Sequence, residues 1–228
     1  MTKGNLSIQL LGTSSDFERY VMKTIEAQMD KAVNKSIPII EARAKPAINL
    51  AISECEEMKS LQGGDLMGQL GLTASTAKNA VDNIAEAVSE SISFTNTRAK
   101  TKKGVGGLEV HFQPTSFSNI LSLSDSSYSY SKKASLWGQI ISGKVEIDWL
   151  SWLLTKGDSI IVSGFHYEPK LGKGRSGKGS MREKGSWRVS PTHAGTGDDN
   201  FITRALQSKE TVKAISSVIQ KAIEKNWG

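Results

Sequence analysis

Apolar residues recur along this chain at two periods, and the switches between them mark its elements. Leu6, Ile8 and Leu10 alternate with Ser7 and Gln9, which predicts a short, half-buried strand. Ser14, Ser15 and Asp16 then offer helix N-caps, and Phe17, Val21, Ile25, Met29 and Val33 recur every fourth residue. That spacing predicts a helix with one buried stripe. Pro38 and Pro46 interrupt it, since proline lacks an N–H and clashes with the preceding turn. The pattern resumes through Ile48, Ile52, Cys55 and Met58. Residues 16–60 therefore read as a long helical arm, kinked once or twice and ended by Gly63-Gly64.

Beyond Thr73 or Ser75 as a cap, Ala77, Val81, Ile84, Ala85 and Val88 share one face of a further helix. From Ser91 the period changes to two. Ile92 and Phe94, then Leu108, Val110 and Phe112, alternate around a Lys- and Gly-bearing turn and predict a β-hairpin. The serine-rich run 115–135 reads as irregular or edge structure. Trp137, Trp149, Trp152, Leu153 and Ile161 belong to the densest apolar cluster and are the expected main core, with a short helix over 149–154. A strand from Ser159 to about Tyr167 and another entering at Trp187 flank a glycine-rich basic stretch. Asp198 or Asp199 is expected to cap Phe201–Leu206. Val212, Ile215, Val218, Ile219, Ala222 and Ile223 predict a last helix over about 208–226. The pattern as a whole predicts one α+β domain over 1–228. Its long N-terminal kinked helical arm and further helices would pack on a small, mostly antiparallel sheet.

Size and composition narrow the functional classes. A chain of 228 residues can bury about 70% of the surface its unfolded form exposes, so it needs neither disulfides nor metal to hold a core. The single cysteine, Cys55, cannot form an internal disulfide, which points to synthesis in a reducing cytoplasm. No histidine is near it in sequence, so it reads as a buried thiol and not a nucleophile. The N-terminal residues lack the apolar run of a signal peptide, and no stretch approaches the ~20 apolar residues of a membrane span. No membrane partner is expected. The hydrophobic share of 38% is low and glycine is frequent, at 21 residues, so part of the chain is expected to be ordered by partners. The net charge of +6 favours a polyanion nearby.

The charge is concentrated. Between residues 170 and 184, Lys170, Lys173, Arg175, Lys178, Arg182 and Lys184 stand against one acid, Glu183, within a loop spanning about 168–185. This tract reads either as a solvated loop or as a contact for phosphates or a neighbouring subunit; Arg98, Lys100, Lys102 and Lys103 form a weaker second candidate. Within it, Gly172 to Gly179 resembles a phosphate-binding P-loop, but Gly179 stands where Ser or Thr must hold Mg²⁺, and no helix follows. His111, His166 and His193 are far apart, no His/Cys pair has zinc-ligand spacing, and no Gly-x-Ser-x-Gly elbow occurs. No cofactor, metal or catalytic residue is expected.

The C-terminal part carries a resemblance. Ser186-Trp-Arg-Val, the loop with Pro191 and Gly195-x-Gly197, then Asn200-Phe-Ile-x-Arg-Ala-Leu206 and a terminal amphipathic helix resemble the neck, or tail-completion, proteins of tailed bacteriophages. The Gly64-Asp-Leu-Met-Gly-Gln-Leu junction after a long helix is similar as well; residues 115–155 have no counterpart. The resemblance implies a structural, non-enzymatic virion subunit, made in the host cytoplasm and joining the DNA-filled head to the tail. It also implies a homo-oligomeric ring, sixfold by preference, with double-stranded DNA in its lumen. Adjoining head-connector and tail-terminator or tail-tube proteins would be its partners. Two other classes stay open: a sequence-independent nucleic-acid-binding protein, and an intracellular enzyme.

Overall fold

In the computed structural model, which describes residues 14–100, 105–136, 139–172, 174 and 176–227, the first helix is unbroken. α1 runs from Ser14 to Ser53 with both prolines inside it. Packing overrides the local cost. Ile40, Ala44, Ile48 and Ile52 form an i, i+4 stripe that is fully buried on both sides of Pro46. Pro38 and Pro46 face solvent, as do Asn34 and Ala42, whose carbonyls the prolines leave without a helical donor. The break comes instead at Glu54-Cys55, followed by α2 (Glu56–Gly63), α3 (Asp65–Gln69) and α4 (Ala74–Glu90). Thr73 caps α4, accepting from the Thr76 N–H, while the Thr76 hydroxyl accepts from Thr73 N–H in return.

The single sheet expected from the sequence is divided into three antiparallel two-stranded hairpins. β1 (Ile92–Lys100) pairs with β2 (Val105–Phe112), β3 (Tyr128–Leu136) with β4 (Gln139–Ile147), and β5 (Val162–Glu168) with β6 (Ser180–Trp187). Between them lie α5 (Ser118–Leu121), a 3-10 turn and α6 (Leu150–Leu154). α7 (Phe201–Gln207) and α8 (Lys209–Asn226) close the chain. Asn200, and not Asp198 or Asp199, caps α7. Its Oδ1 accepts from the Ile202 and Thr203 N–H groups at 3.0 and 3.2 Å.

One apolar core joins these parts. It runs from Ile40, Ile48 and Ile52 of α1 through Met58, Leu61, Leu66 and the inner face of α4 to Trp149, Leu153, Val189 and Phe201. The tryptophan cluster is thus part of a wider core: Trp149 and Leu153 are fully buried in it, while Trp152 and Ile161 are partly buried against it. Trp137 and the strand expected at 5–11 lie outside the described residues. α8 lies antiparallel along α1. The Ser36 hydroxyl donates to Ala222 O and accepts from Asn226 Nδ2, so the end of α8 sits beside the middle of α1.

The N-terminal part of α1 has no such cover. The expected buried stripe is buried at Val33, half-buried at Met29, and exposed at Ile25 (39%) and Phe17 (61%); Tyr20 is 72% exposed. Val21, between Phe17 and Ile25 on the same stripe, is half-buried.

Cys55, between α1 and α2, has its thiol pushed up to about 12 by burial first and the Glu57 charge second. Native protein is therefore expected to react with iodoacetamide on the order of a hundredfold more slowly than urea-unfolded protein near neutral pH. The raised value also stabilises the fold fully below the ordinary 9.0, and that contribution is lost as pH rises towards 12. Equal labelling rates in the folded and unfolded states would contradict this burial.

Candidate interaction surface

The basic tract is part loop and part strand: Lys170 and Lys178 lie in the connection between β5 and β6, whereas Arg182 and Lys184, expected in the loop, stand on β6, which ends at Trp187 instead of beginning there because its residues pair with β5. In the antiparallel register Tyr167 is opposite Met181, and His166 opposite Arg182. Alternation then sends Tyr167 and Met181 towards the core and puts His166 and Arg182 side by side on the outer face. His166 Nδ1 donates to the Lys184 carbonyl at 2.7 Å. His166 was not among the candidates read from the sequence, because only the register places it beside Arg182.

Lys170, Lys178, Arg182 and Lys184 are all exposed. Lys173 and Arg175 lie outside the described residues. Lys178 is not free: its ammonium donates to the Gly63 carbonyl, where it caps the negative end of α2. The same end of the hairpin is pressed against α3. A Cβ on Gly68 would meet the Tyr167 hydroxyl, and a Cβ on Gly179 would fall 2.6 Å from Tyr167 Cζ. Glycine at both positions lets the tract lie flat on the Gly64–Leu70 junction. Burial and the nearby Asp65 carboxylate raise the Tyr167 phenol above its ordinary value.

The weaker candidates are on another hairpin. Arg98 is exposed on β1, next to a break in register between Thr97 and Lys100. The side chain of Lys100, and Lys102 and Lys103 altogether, lie outside what is described. β1 packs on α1 and α4, whereas β6 packs on α3, so the two basic groups hang from different parts of the body.

A hydroxyl, an imidazole and a carboxylate do meet on β1–β2. His111 Nε2 is 2.8 Å from Thr95 Oγ1 and 3.4 Å from Glu109 Oε2. Both contacts use the same nitrogen, so the acid cannot orient the ring from its far side as a relay requires. Among the described residues no group of three or more His, Cys, Asp or Glu could hold a metal. Nor is any described helix long and apolar enough to cross a membrane.

A second surface feature is a groove of about 770 Å³ between the end of α1 and the start of α8. Beside it is an ion-pair network. Arg204 of α7 donates to Glu57 at 2.6 Å and to Asp199 at 2.7 Å, and the Glu57 side chain is almost wholly buried. Removing either partner would strand a charge, so the network joins α2 to α7.

No family model, curated protein or solved structure matches this chain.

Proposed function

We propose that this chain is a structural subunit that completes itself in a homo-oligomeric ring, at the neck or tail-completion position of a tailed-bacteriophage virion. The observation that carries the self-association is the uncovered N-terminal half of α1. Its apolar stripe continues the one buried over Val33 to Ile52; among the described residues Phe17 and the neighbouring Tyr20 are largely exposed while Val21 and Met29 are half-buried, and exposed apolar surface of this kind marks contact sites. The α+β architecture and the order of its elements support the virion placement, together with the residues that resemble neck proteins. The basic β5–β6 hairpin would meet lumen DNA or an adjoining subunit, and the ring would sit against head-connector and tail-terminator or tail-tube proteins.

Sedimentation equilibrium is expected to give a multiple of the 24.7 kDa subunit, sixfold by preference. Phe17→Asp with Tyr20→Asp should abolish the multimer and leave the melting temperature unchanged, because both side chains are largely exposed. A wild-type protein that stays monomeric at every concentration contradicts the proposal. If that monomer binds duplex DNA with an affinity falling steeply with salt, the exposed Lys170, Arg182 and Lys184 support the alternative of a sequence-independent nucleic-acid-binding protein.

A further inference from the structure

The groove beside α8 has a lining unlike the rest of the surface. Ala47, Ala51 and Ala214 line it, together with Leu50, a leucine left 62% exposed. Its rim is acidic. Glu54, Glu56 and Glu210 border it, and Arg204, its basic lining residue, is already held by Glu57 and Asp199. Lys59 pairs with Glu54, while among the described residues Glu56 and Glu210 carry no ion pair. Both complement helix N-termini, but a helix dipole requires no apolar slot between them.

We infer that this groove receives the basic β5–β6 hairpin of a second copy of the chain, docked head to tail. Charge selects the occupant. The hairpin presents Lys170, Arg182 and Lys184 to solvent, with Glu183 the one acid between residues 170 and 184. The two features occupy opposite ends of α2. Lys178 fixes the loop end of the hairpin at Gly63, whereas the groove borders Cys55 and Glu56 at the other end. The eight residues between span about 12 Å along the helix axis. The donor and acceptor patches therefore differ, and a contact between different patches propagates from copy to copy until a rotation closes it into a ring. The contact rests on the self-association reading and supplies it with a specific interface.

Charge-reversal mixing tests it. Variant one carries Glu56→Lys and Glu210→Lys; variant two carries Lys170→Glu and Arg182→Glu. Each alone sets like charges against each other and should associate about a hundredfold more weakly than wild type in sedimentation velocity. An equimolar mixture should recover wild-type association, because each variant's groove then meets the other's hairpin. Circular dichroism melts matching wild type show that both variants are folded. If wild type assembles but the variants assemble as well as it does, or the mixture stays dissociated, this contact is wrong and the ring reading stands. If wild type is monomeric throughout, both fall.

Discussion

Trp149→Ala is expected to lower the melting temperature by roughly 10 °C, corresponding to a loss of about 4 kcal/mol. The side chain is fully buried at the start of α6, and its indole N–H donates to the Asp125 carbonyl at 3.0 Å. Truncation therefore opens a cavity and leaves the carbonyl of the 3-10 turn without that donor. Trp152, three residues on, provides the contrast. It is half-buried, its indole donates to the exposed Ser159 hydroxyl, and Lys156 sits 4.2 Å over its ring. Trp152→Ala should cost only about 1–2 kcal/mol. Thermal melts of the two variants check the ranking, and equal shifts would contradict the burial of Trp149 in the core.

The helices were legible because their stripes repeat over many turns. α4 and α8 lie where Ala77–Val88 and Val212–Ile223 predict them. α1 was legible as a helix but not as an unbroken one. A proline argues for a break from its own backbone chemistry alone, and only the burial of Ile40 to Ile52 shows that packing prevails. The cap of α7 was misplaced for a related reason. Aspartate, asparagine and serine are comparable caps, so the sequence leaves the choice among Asp198, Asp199 and Asn200 open. The fold decides, because Asn200 Nδ2 also reaches the Thr196 and Gly197 carbonyls and so closes the preceding loop.

Strand pairing was less legible. β3 falls in the serine-rich run expected to be irregular or edge structure, and no strand was expected over Gln139–Ile147, so the β3–β4 hairpin was not legible. Propensity is a weak guide where the partner strand supplies half the environment. The candidate surface follows the same division. The basic tract is visible as composition, but Lys178 as a helix cap, His166 beside Arg182, and the acidic groove all depend on which elements meet. No spacing along the chain brings Leu50 to Ala214, because helix packing does that.

Gly195→Ala is expected to destabilise by about 3 kcal/mol or more, while Gly197→Ala changes stability by less than about 0.5 kcal/mol. The two glycines stand two residues apart in one loop, and nothing local distinguishes them. Gly195 donates its N–H to the Trp152 carbonyl at 3.0 Å and accepts from the Gly157 N–H at 2.8 Å, so its backbone is clamped against the end of α6. A Cβ there would run into the Leu153 carbonyl oxygen, with the carbonyl carbon at 2.6 Å and Asn200 Cβ at 2.8 Å. Leu153 is fully buried and Asn200 caps α7, so neither can retreat without moving a helix. A Cβ on Gly197 meets nothing within 4 Å. Urea denaturation should therefore show the midpoint falling sharply for the first variant and holding for the second, with similar slopes. Equal midpoints would mean that the loop does not seat Gly195 on α6, and the link between α6 and the start of α7 would have to be redrawn.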